Sequence, residues 1–330
     1  MHQSRKKGID KRPSREKVVS AKTTATDVKI GRGGIIIASV VIALILIIVL
    51  FSSYQELWAP FRQTVIRVDD TTISMGYLLK RVRMSGGSEP MAMLQSLTHE
   101  QVIKLGAPQY GIEVTPEDVD QILMRMAGGE SGNITQPEFK EWYRQQLNET
   151  KLSDSEYREI VHIQLLTIRL HEYLAARVPT IAEQVHVHGI LVETSKSARE
   201  VKERLEAGEN FADVAKEVSL DEDLKEKGGD LGWLPRGVSD QFEYIAFNLA
   251  PGEVSEPLPS ETEGYYYLLM VSEKADAREM DEDSLSVLQA RALEHWLPQE
   301  MQLHQITWHG LNNGFDSETL AWINWQLSKK

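Results

Sequence analysis

The chain has no cysteine in its 330 residues. That excludes disulfide frameworks, thiolate metal sites and cysteine nucleophiles. It has only 12 prolines, 42% apolar and 26% charged residues, which excludes a disordered, collagen-like or low-complexity protein. Excess positive charge is also lacking. The formal net charge is −13, whereas a nucleic-acid binder needs a basic face, so no nucleic acid is expected as a partner. No metal or nucleotide motif is evident, and no cofactor is expected.

The charge is unevenly placed. Residues 1–34 carry ten Lys or Arg against Asp10, Glu16 and Asp27, a net of +7, which leaves −20 on the rest. The switch falls at an uncharged stretch from Gly33 to Gln55. Within it, Ile35 to Phe51 is apolar apart from Ser39. At about 1.5 Å per residue such a helix spans roughly the bilayer core. Tyr54 and Trp58 follow as interfacial aromatics. The basic region is too long, and small residues at a cleavage site are wanting, for a removed signal peptide. The pattern predicts a cytoplasmic tail (1–34), one transmembrane helix (35–53) contacting the lipid bilayer, and an extracytoplasmic remainder at the cell membrane.

Residues 63–75 alternate apolar and polar about Asp69–Asp70, as a short strand or hairpin would. Helix starts follow at Thr115-Pro116, Thr135 and Ser153, each with an acidic residue three positions on. Pro179 stops the third. Residues 60–182 therefore read as a mostly helical domain. His99, His162 and His171 stand singly there and suggest no metal site.

From Val185 the texture becomes that of an α+β domain, βααβαββ, over 183–275. Beyond it, Leu285, Leu288, Ala292 and Trp296, then Leu320, Trp322, Ile323 and Leu327, mark two amphipathic helices. Residues 276–330 are too few for their own core. They are expected to pack back on 60–182, which makes the α+β domain an insertion in a split helical chaperone module.

The inserted segment resembles the parvulin-type peptidyl-prolyl isomerases. Gly208-Glu-Asn-Phe211-Ala-Asp-Val-Ala215, Ser219-Leu-Asp221, Gly228-Gly-Asp-Leu-Gly-Trp233, Phe242 with Ala246-Phe247, and Gly252-Glu-Val-Ser-Glu-Pro257 follow that family's motifs in order and spacing. With its anchor and flanking helices the chain is similar to foldases of the PrsA and SurA type. Those of the PrsA type are lipid-anchored through a cysteine, which this chain lacks.

The resemblance implies an isomerase and chaperone acting on unfolded or exported polypeptides with X-Pro bonds. It assigns Asp221, His188 and Tyr266 to catalysis and Leu231, Phe242 and Phe247 to proline binding, with no metal. A non-catalytic chaperone with a degenerate parvulin domain is the alternative.

Both family histidine positions look altered. The first strand reads Val185-His-Val-His-Gly-Ile-Leu-Val192, and ungapped the histidine falls on Gly189. His188 would then face away from the site. If Gly189 is an inserted bulge residue, His188 regains the position. Replacement is the preferred reading. The second histidine falls on Tyr266 or Tyr267, and turnover is expected to be weak. Restoring histidine at 189 and 266 is expected to raise it.

Overall fold

The computed structural model describes residues 40–49, 54, 58–87, 89–129, 134–312 and 314–329. Residues 40–49 are helical with every side chain exposed, Ile48 at 65%. The basic tail, and residues 35–39 and 50–53 of the expected span, lie outside the described residues. Among the described residues no helix is long and apolar enough to cross a membrane.

Residues 59–330 form one unit, described here by itself. It begins with a hairpin, β1 (Thr64–Val68) and β2 (Thr71–Ser74), which turns at Asp69 with φ 51°. Helices Met75–Met84, Pro90–Gly106, Pro116–Gly128, Gln136–Thr150 and Asp154–Ala175 follow. Thr115, Thr135 and Ser153 each close a capping box with Asp118, Glu138 and Glu156, satisfying the first free N–H groups of their helices.

The parvulin-like part is a four-stranded antiparallel sheet, built from β3 (Ile181–Val192), β4 (Asp230–Pro235), β5 (Leu258–Pro259) and β6 (Tyr266–Glu279). The spatial order is β4-β3-β6-β5. Helices Ser195–Glu206 and Phe211–Val218 pack their apolar stripes on one face. Helix Glu243–Asn248 covers the other.

Two details differ from the sequence reading. A further short helix, Glu222–Glu226, precedes β4, because Asp221 caps it. The third strand of the βααβαββ pattern is short: the stretch Gly252–Pro257 makes only one bridge, Val254 to Met270, before β5. Pro251 and Pro257, which have no N–H to donate, bracket it.

After helices Glu282–Ala290 and Ala292–Met301 comes a strand that periodicity did not reveal, β7 (Ile306–Trp308), and then helix Ser317–Ser328. With three residues, β7 is too short to show an alternation. It pairs with β1 and completes a sheet of order β2-β1-β7. The last helices join the core of the first: Trp296 and Ile323 are buried with Leu94, Leu97, Val102 and Leu170. Trp296 donates to the Tyr110 hydroxyl at 2.9 Å. Gly106 makes room for it, since a Cβ there would lie 2.7 Å from the indole. Phe61 meets Trp322 edge-on at 5.3 Å, and Trp308 donates to Thr98 Oγ1 at 3.0 Å.

Candidate active site

Strand alternation decides which side chains of β3 can meet. Val185 and Val187 pack beneath helix Glu243–Asn248 with Leu269 and Val271. Ile190 and Val192 belong to the opposite face, with Ala198, Val214 and Leu268. Gly189 is on the first face, where a Cβ would meet Leu231, Leu269 and Leu224. His188 is on the second face. Its ring is 5.9 Å from that of Phe211 and 4.9 Å from that of His186.

The register of β6 extends the rule. Gly189 pairs with Leu269, Leu191 with Tyr267 and Val192 with Tyr266. Tyr267 therefore shares the face of Gly189. Tyr266 packs with Ile190 and Val192 on the other.

On the Gly189 face, Asp221, Leu224, Leu231, Phe242 and Tyr267 line a cavity of about 240 Å³, with Asp223, Lys227 and Asp230 at its edge. Each lining residue is held by local chemistry. Asp221 Oδ1 accepts the Leu224 N–H at 3.0 Å as a helix cap. The glycine turn after that helix needs Gly228 and Gly229 at φ 64° and 83°. It closes tightly, the Gly189 N–H donating to Gly229 O at 2.7 Å, and a Cβ on Gly229 would lie 2.8 Å from Gly189 O. This turn delivers Leu231 to the cavity, 41% exposed. Phe242 meets Tyr267 edge-on, centroids 5.1 Å apart. Burial, then the carboxylates of Asp221 and Glu261, push the Tyr267 phenol above its ordinary pKa. It stays protonated at neutral pH and can donate one hydrogen bond.

Of the six residues assigned from sequence, the structure brings Asp221, Leu231 and Phe242 together. His188 and Tyr266 lie on the opposite face, because each is one residue out of phase with the pleat. Phe247 is buried behind the cavity, with the Arg236 guanidinium 3.8 Å over its ring. It borders instead a larger cleft of about 990 Å³ between this sheet's helix and the C-terminal helices, lined also by Tyr244, Leu288, His295 and Trp296. Tyr267, and not Tyr266, lines the cavity. The signal for it was the alternation itself, counted from Gly189 through the β3–β6 register.

A half-enclosed cavity with an apolar wall of Leu224, Leu231 and Phe242, one phenol donor, and Asp221 among the charged groups at its rim suits a ring-shaped apolar group attached to a polar amide. Comparison with known proteins gives this chemistry its class. Residues 189–273 match the rotamase family, the PPIC-type PPIase domain. The chain is thus a peptidyl-prolyl cis-trans isomerase built on a parvulin domain.

It is 30% identical over 236 residues to foldase protein PrsA of Halalkalibacterium halodurans, covering 67% of this chain and 68% of that one. Against foldase protein PrsA of a Geobacillus species it is 26% identical over 224 residues, covering 67% and 75%. The crystal structure of the peptidylprolyl isomerase PrsA from Bacillus cereus aligns over 81% of this chain and 91% of its own, at 21% identity and a TM-score of 0.38. The chain belongs to the PrsA foldase family.

Proposed function

We propose that the Leu231–Phe242–Tyr267 cavity binds the proline ring of exported polypeptides and that catalysis occurs at its Asp221 rim. The observation that carries this is the convergence of those four residues on one cavity. Rotation about X-Pro faces a barrier of roughly 20 kcal/mol, set by amide resonance. Lowering it needs no covalent step, only better binding of the twisted amide than of either planar form. Leu231 and Phe242 supply an apolar seat. The Tyr267 phenol is placed to donate to an amide oxygen released from conjugation, in a site where water is partly excluded. Turnover is low in this reading, because Gly189 offers no polar group where the resemblance expects histidine.

The test is a proline-isomerisation assay on the full chain in detergent. Leu231→Ala and Phe242→Ala are expected to lower kcat/KM about tenfold or more, the scale of a lost apolar side-chain contact. Unchanged rates in folded variants would remove the cavity from the reaction.

The division into a tail (1–34), an anchor (35–53), a split helical module (60–182 with 276–330) and an isomerase domain (183–275) belongs to the same proposal. The anchor rests on the uncharged run and the basic tail before it. With the tail in the cytoplasm, protease added to intact spheroplasts digests the chain beyond about residue 60, the segment after the anchor. Protection of that region would reverse the topology.

A chaperone role is favoured by a second observation, the 990 Å³ cleft, where Tyr244 is 78% exposed beside Phe247. Tyr244→Asp is expected to weaken suppression of client aggregation and to spare prolyl isomerisation.

A further inference from the structure

The face of β3 opposite Gly189 carries a second cluster of chemistry, which meets Asp230 at the edge of the isomerase cavity. His186 and His188 are two positions apart on β3, so both imidazoles project from that face. A β-bulge between Val187 and His188 sets Asp230, the first residue of β4, opposite His188. The His186 Nε2 is 2.9 Å from Asp230 Oδ1. One nitrogen from each histidine and one Asp230 oxygen all lie within 4.8 Å of one another.

We propose that His186, His188 and Asp230 form a binding site for one zinc(II) ion. Two imidazoles and a carboxylate are a zinc donor set, with a fourth, open position for water. Around a tetrahedral ion with bonds of about 2.0–2.2 Å, ligand atoms stand roughly 3.3–3.6 Å apart, so the 2.9 Å His186–Asp230 pair opens and the widest pair, within 4.8 Å, closes toward that spacing. Rotation of an imidazole about its side-chain bonds supplies that. The ion takes a lone pair from one nitrogen of each neutral imidazole, whose proton sits on its other ring nitrogen, and one from the Asp230 carboxylate. No oxidation or reduction is involved.

The surroundings hold the ligands in place, as the outer partners of a metal site do. Trp233 stacks on the His186 ring, centroids 5.2 Å apart and planes within 11°. Ser272 Oγ is 3.1 Å from His188 Nε2. The Gly232 N–H donates to Asp230 Oδ1 at 2.8 Å.

The proposal goes beyond the isomerase reading, which uses no metal. Its test is zinc uptake by the full, untagged chain in detergent, read by equilibrium dialysis and by the cobalt(II) visible spectrum. One ion per chain is expected. His186→Gln and His188→Gln should each weaken binding about tenfold or more, the scale seen when a metal site loses a supporting group. His295→Gln, in the cleft on helix Ala292–Met301, should leave it unchanged. Ring-nitrogen NMR of the unaltered chain needs no variant: zinc must shift the His186 and His188 resonances. No uptake, uptake that survives the double variant, or zinc shifts confined to other histidines would each overturn the assignment.

Discussion

Gly189 and Leu231 compete for one space. A Cβ on Gly189 would lie 2.9 Å from Leu231 Cδ1, closer than two carbons can approach, so the leucine fills the room where the resemblance expects an imidazole. Restoring histidine at 189 therefore does not rebuild a polar bridge. It requires the half-exposed Leu231 side chain to turn aside from the room it fills, and a histidine at 266 would face the other side of the sheet.

The first prediction follows from that contact. Gly189→Ala overpacks the cavity wall at a cost of about 1–3 kcal/mol. Relief of glycine's entropy in a strand returns roughly 0.5–1 kcal/mol. A net loss of about 1 kcal/mol is expected in the urea midpoint. In a Leu231→Ala background the same change should be neutral or stabilising, a coupling of about 0.5 kcal/mol or more. Gly189→His alone should lower kcat/KM. A rise would mean that Leu231 yields without loss of the seat.

Asp221 has two roles that can be separated. Its Oδ1 caps helix Glu222–Glu226 through the Leu224 N–H. Asn keeps an oxygen there, and Ala does not. Asp221→Ala should cost about 1 kcal/mol, the usual loss for a cap. Asp221→Asn should hold the melting temperature yet lower kcat/KM several-fold, because the charge at the cavity rim is gone. Full activity in the Asn variant would reduce Asp221 to a cap.

Much of this was legible before the structure because it is local. The capping boxes at Thr115, Thr135 and Ser153 are three-residue patterns. The pleat of β3 places Gly189 and His188 on opposite faces whatever surrounds them. What was not legible depends on pairs distant in sequence. Choosing Tyr267 over Tyr266 needs the β3–β6 register, where one residue decides the face. Phe247 lies one helical step past Ala246, and only the packing shows that its ring turns under Arg236. β7 exists because β1 has a free edge for Ile306–Trp308 to pair with. The His186–Asp230 contact needs a bulge that no single-strand pattern announces.

The joining of the chain's two ends can be tested by size of effect. Trp296 is buried against Gly106 and Tyr110. Trp296→Ala should cost about 3–5 kcal/mol, as large aromatic truncations in cores do. Trp325, on the last helix, is 55% exposed. Its replacement by Ala should stay within about 0.5 kcal/mol. The check is a pair of chemical denaturation curves. Equal, small effects would detach the C-terminal helices from the stability of the first module.

Acid should weaken the helical module, and the sign can be worked out. The Asp118 carboxylate is held well below its ordinary pKa by the Arg169 guanidinium and the Thr115 N–H. For Glu156, burial works to raise the pKa, but Lys80 and the Ser153 cap outweigh it and the net shift is downward. In the unfolded chain these groups take up protons near the ordinary values of 3.8 for Asp and 4.5 for Glu. The folded chain takes them up only at lower pH. The unfolded state therefore binds more protons as pH falls through that window, and linkage shifts the balance toward it. Stability is fully present above the unfolded values, begins to fall as pH drops through about 4.5, and is lost through the lower folded values. Asp118→Asn should start from a lower urea midpoint at neutral pH and decline less steeply in acid. Arg169→Gln should reproduce that flattening from the other side of the pair, and the double variant should add little to either. A midpoint that falls with the same slope in all four chains would place the acid-sensitive groups elsewhere.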